Sequence, residues 1–151
     1  MSERLRKALR DPVISKDVRV VGDFVRIFCD GNHRDRDRAP LSSAGVDEGC
    51  YKRPPVVCEE CAGLMVYAEK RRALCPLDPK PFCSNCETHC YKPDLRRYMR
   101  EVMRYAGPRS MLHGHAVEGV RHLIAGRRHK AVMRRAAKTE DPNLAKDDER
   151  E

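Results

Sequence analysis

The chain has 151 residues and a mass of 17.3 kDa; 40% hydrophobic residues, with three Phe, five Tyr and no Trp, supply one modest core at most. A charged fraction of 36%, a mean hydropathy of −0.71 and no apolar run near the roughly 18 residues that a spanning helix needs exclude a membrane protein. The net charge of +8 comes from one segment: residues 92–138 hold 13 Lys/Arg against 3 Asp/Glu, while 1–91 are nearly balanced and 139–151 are acidic.

Met1 to Lys7 alternates charge where a secretory signal would carry an apolar run, so a cytoplasmic location is expected. Residues 1–14 hold Leu5, Leu9 and Val13 at loose spacing, interrupted by Asp11-Pro12, and read as an N-terminal arm. Ser15 caps a predicted first helix in which Val18, Val21, Val25 and Phe28 recur at steps of three and four, ending near Cys29. Asp30-Gly31-Asn32 breaks it, and the polar, aperiodic stretch 34–54 reads as an insertion-like loop. A second helix is predicted over 59–72, with Lys70, Arg71 and Arg72 at the end where cations suit the dipole.

Between Cys75 and Cys90, Pro76, Pro79 and Pro81 exclude a continuous helix, and the stretch is too polar to pack itself. Pro93 opens a third helix over 93–106, striped by Leu95, Met99, Val102, Met103 and Ala106 and closed by Gly107-Pro108. A fourth covers about 115–126. Residues 127–138 read as a basic arm or helical extension, and 139–151 as a disordered tail. The expected fold is therefore mainly α: a small helical domain over 15–126 in which a metal-stapled, Cys-rich region stands in for a full core, followed by a basic then acidic tail over 127–151.

Eight cysteines without an export signal point to thiols kept reduced, hence to metal ligands or reactive groups in place of a disulfide framework. Cys58-Glu59-Glu60-Cys61 and Cys83-x2-Cys86 are C-x2-C pairs, flanked by Cys75 and Cys90. Two side chains on one tight turn can both reach an ion at a Zn–S distance of about 2.3 Å. Cys29 and His33 form a C-x3-H pair that shares one helical face if the first helix persists for another turn. Taken alone, such a Cys is a small buried hydrophobe and such a His a solvated one; added to the six downstream thiols they complete the eight ligands of two closed tetrahedral sites. Neighbours pair best as Cys29, His33, Cys58 and Cys61 for one ion and Cys75, Cys83, Cys86 and Cys90 for the other. A crossed arrangement, with the two C-x2-C pairs on one ion, fits the spacing almost as well. His89 is an alternative ligand, and Cys50 has no partner in the pattern.

Zinc, one or two ions, is the expected cofactor, with a 4Fe-4S cluster on Cys75, Cys83, Cys86 and Cys90 as the alternative. A thiol-disulfide enzyme fits less well, because no βαβ pattern surrounds either pair. No Ser/His/Asp set, phosphate loop or partnered carboxylate pair points to catalysis, so a non-enzymatic role is expected. Arg96, Arg97, Arg100 and Arg104 give the third helix a basic side, and Arg109 follows its stop; together they make an anion or nucleic-acid contact conceivable without a framework for reading bases. The expected partners are another protein, or a nucleic acid or other polyanion, and not a membrane.

Ile27-Phe28-Cys29, Cys58-Glu59-Glu60-Cys61, Tyr67-Ala68, Cys75-Pro76, Lys80-Pro81, His89-Cys90-Tyr91-Lys92-Pro93, Val102-Met103-Arg104-Tyr105-Ala106-Gly107-Pro108-Arg109 and Arg121-His122-Leu123 occur in this order. With them the chain resembles the nitrous oxide-stimulated promoter family of small bacterial cysteine-rich proteins, over about residues 18–127. It departs from the family pattern in a longer stretch between His33 and Cys58 and in His115-Ala116 where His-Pro is expected. The resemblance implies a cytoplasmic role in nitrosative stress; joined to the chemistry of exposed thiolates, that context leads to the expectation of a sensing or adaptor protein whose metal-bound thiolates nitric oxide or its products attack. A nucleic-acid-binding regulator using residues 92–138 is a further alternative.

Overall fold

A computed structural model describes residues 2–140, apart from positions 79, 82, 84, 85, 87, 89 and 115. The chain is mainly α-helical: α1 (Glu3–Leu9), α2 (Pro12–Asn32), β1 (Arg38–Pro40), α3 (Ala44–Asp47), β2 (Val56–Cys58), α4 (Glu59–Ala73), α5 (Pro93–Ser110), a 3-10 turn (Met111–His113) and α6 (Ala116–Glu140). It divides into two units, Met1–Ala116 and Val117–Glu151. The expected tail lies outside the described residues from 141 onward, as do His89 and His115.

Asp11-Pro12, expected to interrupt the chain, instead starts α2. The Asp11 carboxylate accepts from the backbone N–H of Val13 and of Ile14, and Pro12 takes the first-turn position where its missing N–H costs nothing. At the other end α2 runs past Cys29 to Asn32, and Gly31 in this last turn lies under the Tyr105 ring of α5, whose phenolic oxygen takes the space a Cβ would need. This extra turn brings Cys29 and His33 onto one face. α5 likewise continues past the expected stop, through Gly107 and Pro108, to Ser110.

The segment 34–54, expected to be an insertion-like loop, is packed into the domain. It holds β1, which pairs antiparallel with β2 in the register Arg38↔Cys58, Ala39↔Val57 and Pro40↔Val56. It also holds α3 and the buried Leu41, Ala44 and Cys50. Glu69 of α4 is buried beneath it and accepts from Ser43 Oγ (2.8 Å), Tyr51 Oη (2.9 Å) and the Gly45 N–H (3.1 Å). Three donors meet the desolvation cost of that carboxylate and fasten the segment to α4.

Among the described residues two hydrophobic clusters result. One joins α1, α2, α3 and α4 through Leu5, Leu9, Ile14, Val18, Ala44, Cys50 and Ala73. The other joins α2, β2, α4 and α5 through Val25, Leu64, Met65, Val57 and Val102, and includes Cys29, Cys58 and Cys61. The thiols are thus part of a core that other side chains also fill, rather than a replacement for one. In the second unit, α6 exposes Val117, Val120, Ile124, Val132 and Met133. Among the described residues no helix is long and apolar enough to cross a membrane.

Candidate metal centre

Each donor of the centre is carried by a regular element or its cap. Cys29 lies in the last turns of α2, and His33 caps that helix with its N–H donating to the Cys29 carbonyl at 2.9 Å. Cys58 ends β2 and caps α4, and Cys61 lies in the first turn of α4. The ligand atoms of Cys29, His33, Cys58 and Cys61 all lie within 4.8 Å of one another, and all four residues are buried. Among the described residues no other group of three or more His, Cys, Asp or Glu side chains is gathered so closely.

The contacts suit a tetrahedral ion. His33 Nδ1 lies 3.3 Å from Cys58 Sγ and 3.4 Å from Cys61 Sγ. Zn–S and Zn–N bonds of about 2.3 and 2.0 Å at a tetrahedral angle would set the N···S edge at about 3.5 Å. The Cys58 N–H donates to Cys29 Sγ at 3.3 Å, and Tyr98 Oη lies 3.3 Å from Cys61 Sγ, so the sulfurs also have polar neighbours that can orient them.

Electrostatics divides the four. Burial, followed by the nearby Arg36 charge, holds His33 below the usual imidazole range, which favours the neutral ring that binds metal. Burial pushes the Cys58 thiol up, but the Cys61 backbone N–H, the Cys61 and Cys29 thiols and Arg36 outweigh it, so its pKa falls below that of a free thiol. Burial pushes Cys29 and Cys61 up, and a buried cation is what would offset that cost. Three thiol sulfurs and one neutral imidazole therefore fit a divalent, thiophilic metal; the donor set alone does not select zinc.

Arg38 holds the frame. Its Nη2 donates to the carbonyls of Cys29 (3.0 Å) and His33 (2.9 Å), and its Nη1 pairs with Asp30 at 2.7 Å. It thus adds a charged donor to carbonyls at the end of α2 that also accept from the backbone N–H groups of His33 and Arg36. Spacing gives no hint of this, because Arg38 closes an alternating Arg/Asp run that looks like solvated loop.

The remaining predicted ligands lie elsewhere. Cys83 and Cys90 are exposed, and Cys75 and Cys86 are half-buried. They are not gathered as the first four are, and the crossed pairing of Cys58-Cys61 with Cys83-Cys86 is not formed. Cys50, which has no partner in the sequence pattern, is buried with its Sγ toward the Leu9 carbonyl at 3.6 Å. Of the predicted anion contacts, Arg97, Arg100, Arg104 and Arg109 are exposed and Arg96 is half-buried. Arg97 pairs with Asp94, and Arg109 stacks over Tyr105, 3.8 Å from the ring centre.

The model of the family described as "Nitrous oxide-stimulated promoter" matches residues 12–135, most of the chain and all four ligands of the buried centre. The chain belongs to that family. The uncharacterized protein YgbA of Escherichia coli strain K12 is 46% identical over 71 residues, 46% of this chain. The match spans 60% of YgbA's own length. No solved structure matches the chain.

Proposed function

We propose that this family member is a non-enzymatic zinc protein of the bacterial cytoplasmic response to nitrogen oxides. One zinc ion on Cys29, His33, Cys58 and Cys61 ties the end of α2 to the start of α4. The observation that carries the reading is the convergence of four buried donors from three elements within 4.8 Å. The family description supplies the link to nitrogen oxides. Zinc is favoured over an iron–sulfur cluster here because the donors are sequestered in a core, which suits a closed four-coordinate ion and leaves little room for inorganic sulfide.

Zinc-bound thiolate also gives the response a chemistry. Dinitrogen trioxide, formed from nitric oxide and oxygen, would deliver a nitrosonium equivalent to a thiolate, giving an S-nitrosothiol and nitrite, with the zinc–sulfur bond broken. Loss of one ligand would loosen α2 from α4 and change the surface that a partner reads. Elemental analysis of protein purified without oxygen, before and after a nitric oxide donor in air, tests this. Zinc should be bound, then released, with a change in near-ultraviolet circular dichroism. Metal content and fold that do not change overturn the responsive role, and protein that binds no zinc overturns the whole reading.

A further inference from the structure

α6 carries the strongest run of like charge on the chain. From Arg121 to Lys138 it holds seven Lys or Arg, five of them Arg, and no Asp or Glu. Arg127, Arg128, Lys130, Arg134 and Arg135 are exposed, and none of the first four pairs with a carboxylate among the described residues. The basic side of α5 is different. Asp94 and Glu101 interrupt its Arg97, Arg100 and Arg104, and Arg97 pairs with Asp94. Cations without nearby acids repel one another, and an anionic surface laid along them relieves that repulsion.

Steps of three and four run along α6 from Val117 through Val120, Ile124, Arg127, Arg128 and Ala131 to Arg134 and Arg135. One face therefore begins aliphatic and ends in two arginine pairs about 10 Å apart along the axis. Val117, Val120 and Ile124 are exposed on it. Three occupants fit this face badly. A second copy of α6 laid parallel would set Arg against Arg, and laid antiparallel would set Arg against the aliphatic half. A bilayer surface takes a helix whose apolar side lies opposite its cations; here the two share a side, and the exposed Val132 and Met133 fall off it. A single nucleic-acid strand is held by aromatic side chains on which its bases stack, and α6 has no Phe, Tyr or Trp. Duplex DNA fits better, because its major groove admits an α-helix and guanidinium groups bond phosphate bidentately. α6 also lacks Asn and Gln, the readers of adenine, so phosphate contact dominates.

We propose that α6 is a DNA-binding surface that holds the phosphate backbone of duplex DNA, without regard to sequence, through Arg127, Arg128, Arg134 and Arg135. Each Arg that neutralises a phosphate releases condensed counterions, so binding weakens with salt in proportion to the number of contacts. The surface shares no residue with the buried centre and does not depend on which metal fills it.

The test is the fluorescence anisotropy of a short labelled DNA duplex of mixed sequence, titrated with the full chain at several salt concentrations. Four contacts give a slope of about −3.6 in log K against log salt, or about a hundredfold loss between about 50 and 200 mM. An Arg127→Gln/Arg128→Gln/Arg134→Gln/Arg135→Gln variant should lose most of that slope and keep its helical spectrum, since Gln and Arg have similar helix propensity. Lys at the same four positions should keep the slope, and a duplex of scrambled sequence should bind as well as the first. No binding at about 50 mM salt overturns the proposal, as does a slope that the Gln variant leaves intact. Stronger binding of a single strand, duplex RNA, polyglutamate or phosphatidylglycerol vesicles also overturns it. If the Gln variant loses helix, amide exchange of the natural protein decides the matter: duplex DNA should slow exchange over residues 124–136, and protection confined to α5 overturns the surface.

Discussion

The two cysteine quartets are similar as sequence and different as structure. In the buried one each ligand belongs to an element fixed by other forces: α2 by its Asp11 cap and apolar stripe, β2 by its pairing with β1, α4 by Leu64 and Met65. The thiols meet because the fold brings them, and an ion there adds to an existing core. In the other quartet two ligands flank helices and two ride on a proline-rich connection held by a few polar contacts. Clustered cysteines therefore do not say whether metal follows folding or completes it; what surrounds each ligand does.

The largest effect should separate the two. Cys61→Ser removes a fully buried thiolate and should lower stability by about 3 kcal/mol or more in zinc-loaded protein. That corresponds to about 10 °C in melting temperature. Cys86→Ser should move the same melt, followed by circular dichroism, by no more than about 2 °C. Equal shifts would mean that both quartets carry the core, and the distinction would fail.

Next is the frame of the buried centre. Arg38→Ala leaves the Cys29 and His33 carbonyls without their charged donor and should cost about 2 kcal/mol in urea unfolding. It should also weaken zinc binding, whereas Arg38→Lys should recover only part of both, because an ammonium lacks the planar fork. Gly31→Ala should cost about 1–3 kcal/mol, since its methyl group must displace the Tyr105 ring and with it the seat of α5. Gly63→Ala, exposed and with open space at its Cβ, is the control and should raise stability by about 0.5–1 kcal/mol. The smallest change should come from Tyr67→Phe, which removes the hydroxyl that receives the Lys92 N–H. Global stability should fall by about 1 kcal/mol at most, while amide exchange at Lys92 quickens.

The mainly α fold and the α4 and α5 stripes could be read from periodicity, and the Cys29, His33, Cys58, Cys61 set is one of two partitions that the spacing allows. What could not be read depends on contacts between distant residues. Asp11-Pro12 has the composition of a break and of a cap, and burial of Leu9 and Ile14 on either side decides for the cap. Asp30-Gly31-Asn32 looks like a helix stop until a tyrosine from 74 residues further on covers the glycine. β1 and β2 have three residues each, and one contains Pro40, too little for alternation to register. Pro108 reads as a terminator, yet α5 runs two residues past it, with Arg109 donating to the Tyr105 carbonyl and Ser110 Oγ to that of Gly107.

The pairing of Arg38 with Cys58 has one more consequence. Because the ribbon joins at the residue that bears a ligand, the chain from 41 to 55 leaves and returns through a fixed gate. Its exposed tip at Lys52 and Arg53 can lengthen without moving either side of that gate. Each doubling of a flexible excursion adds only about 0.6 kcal/mol of closure entropy. Relatives can therefore differ in the distance between His33 and Cys58 and still present the same four donors.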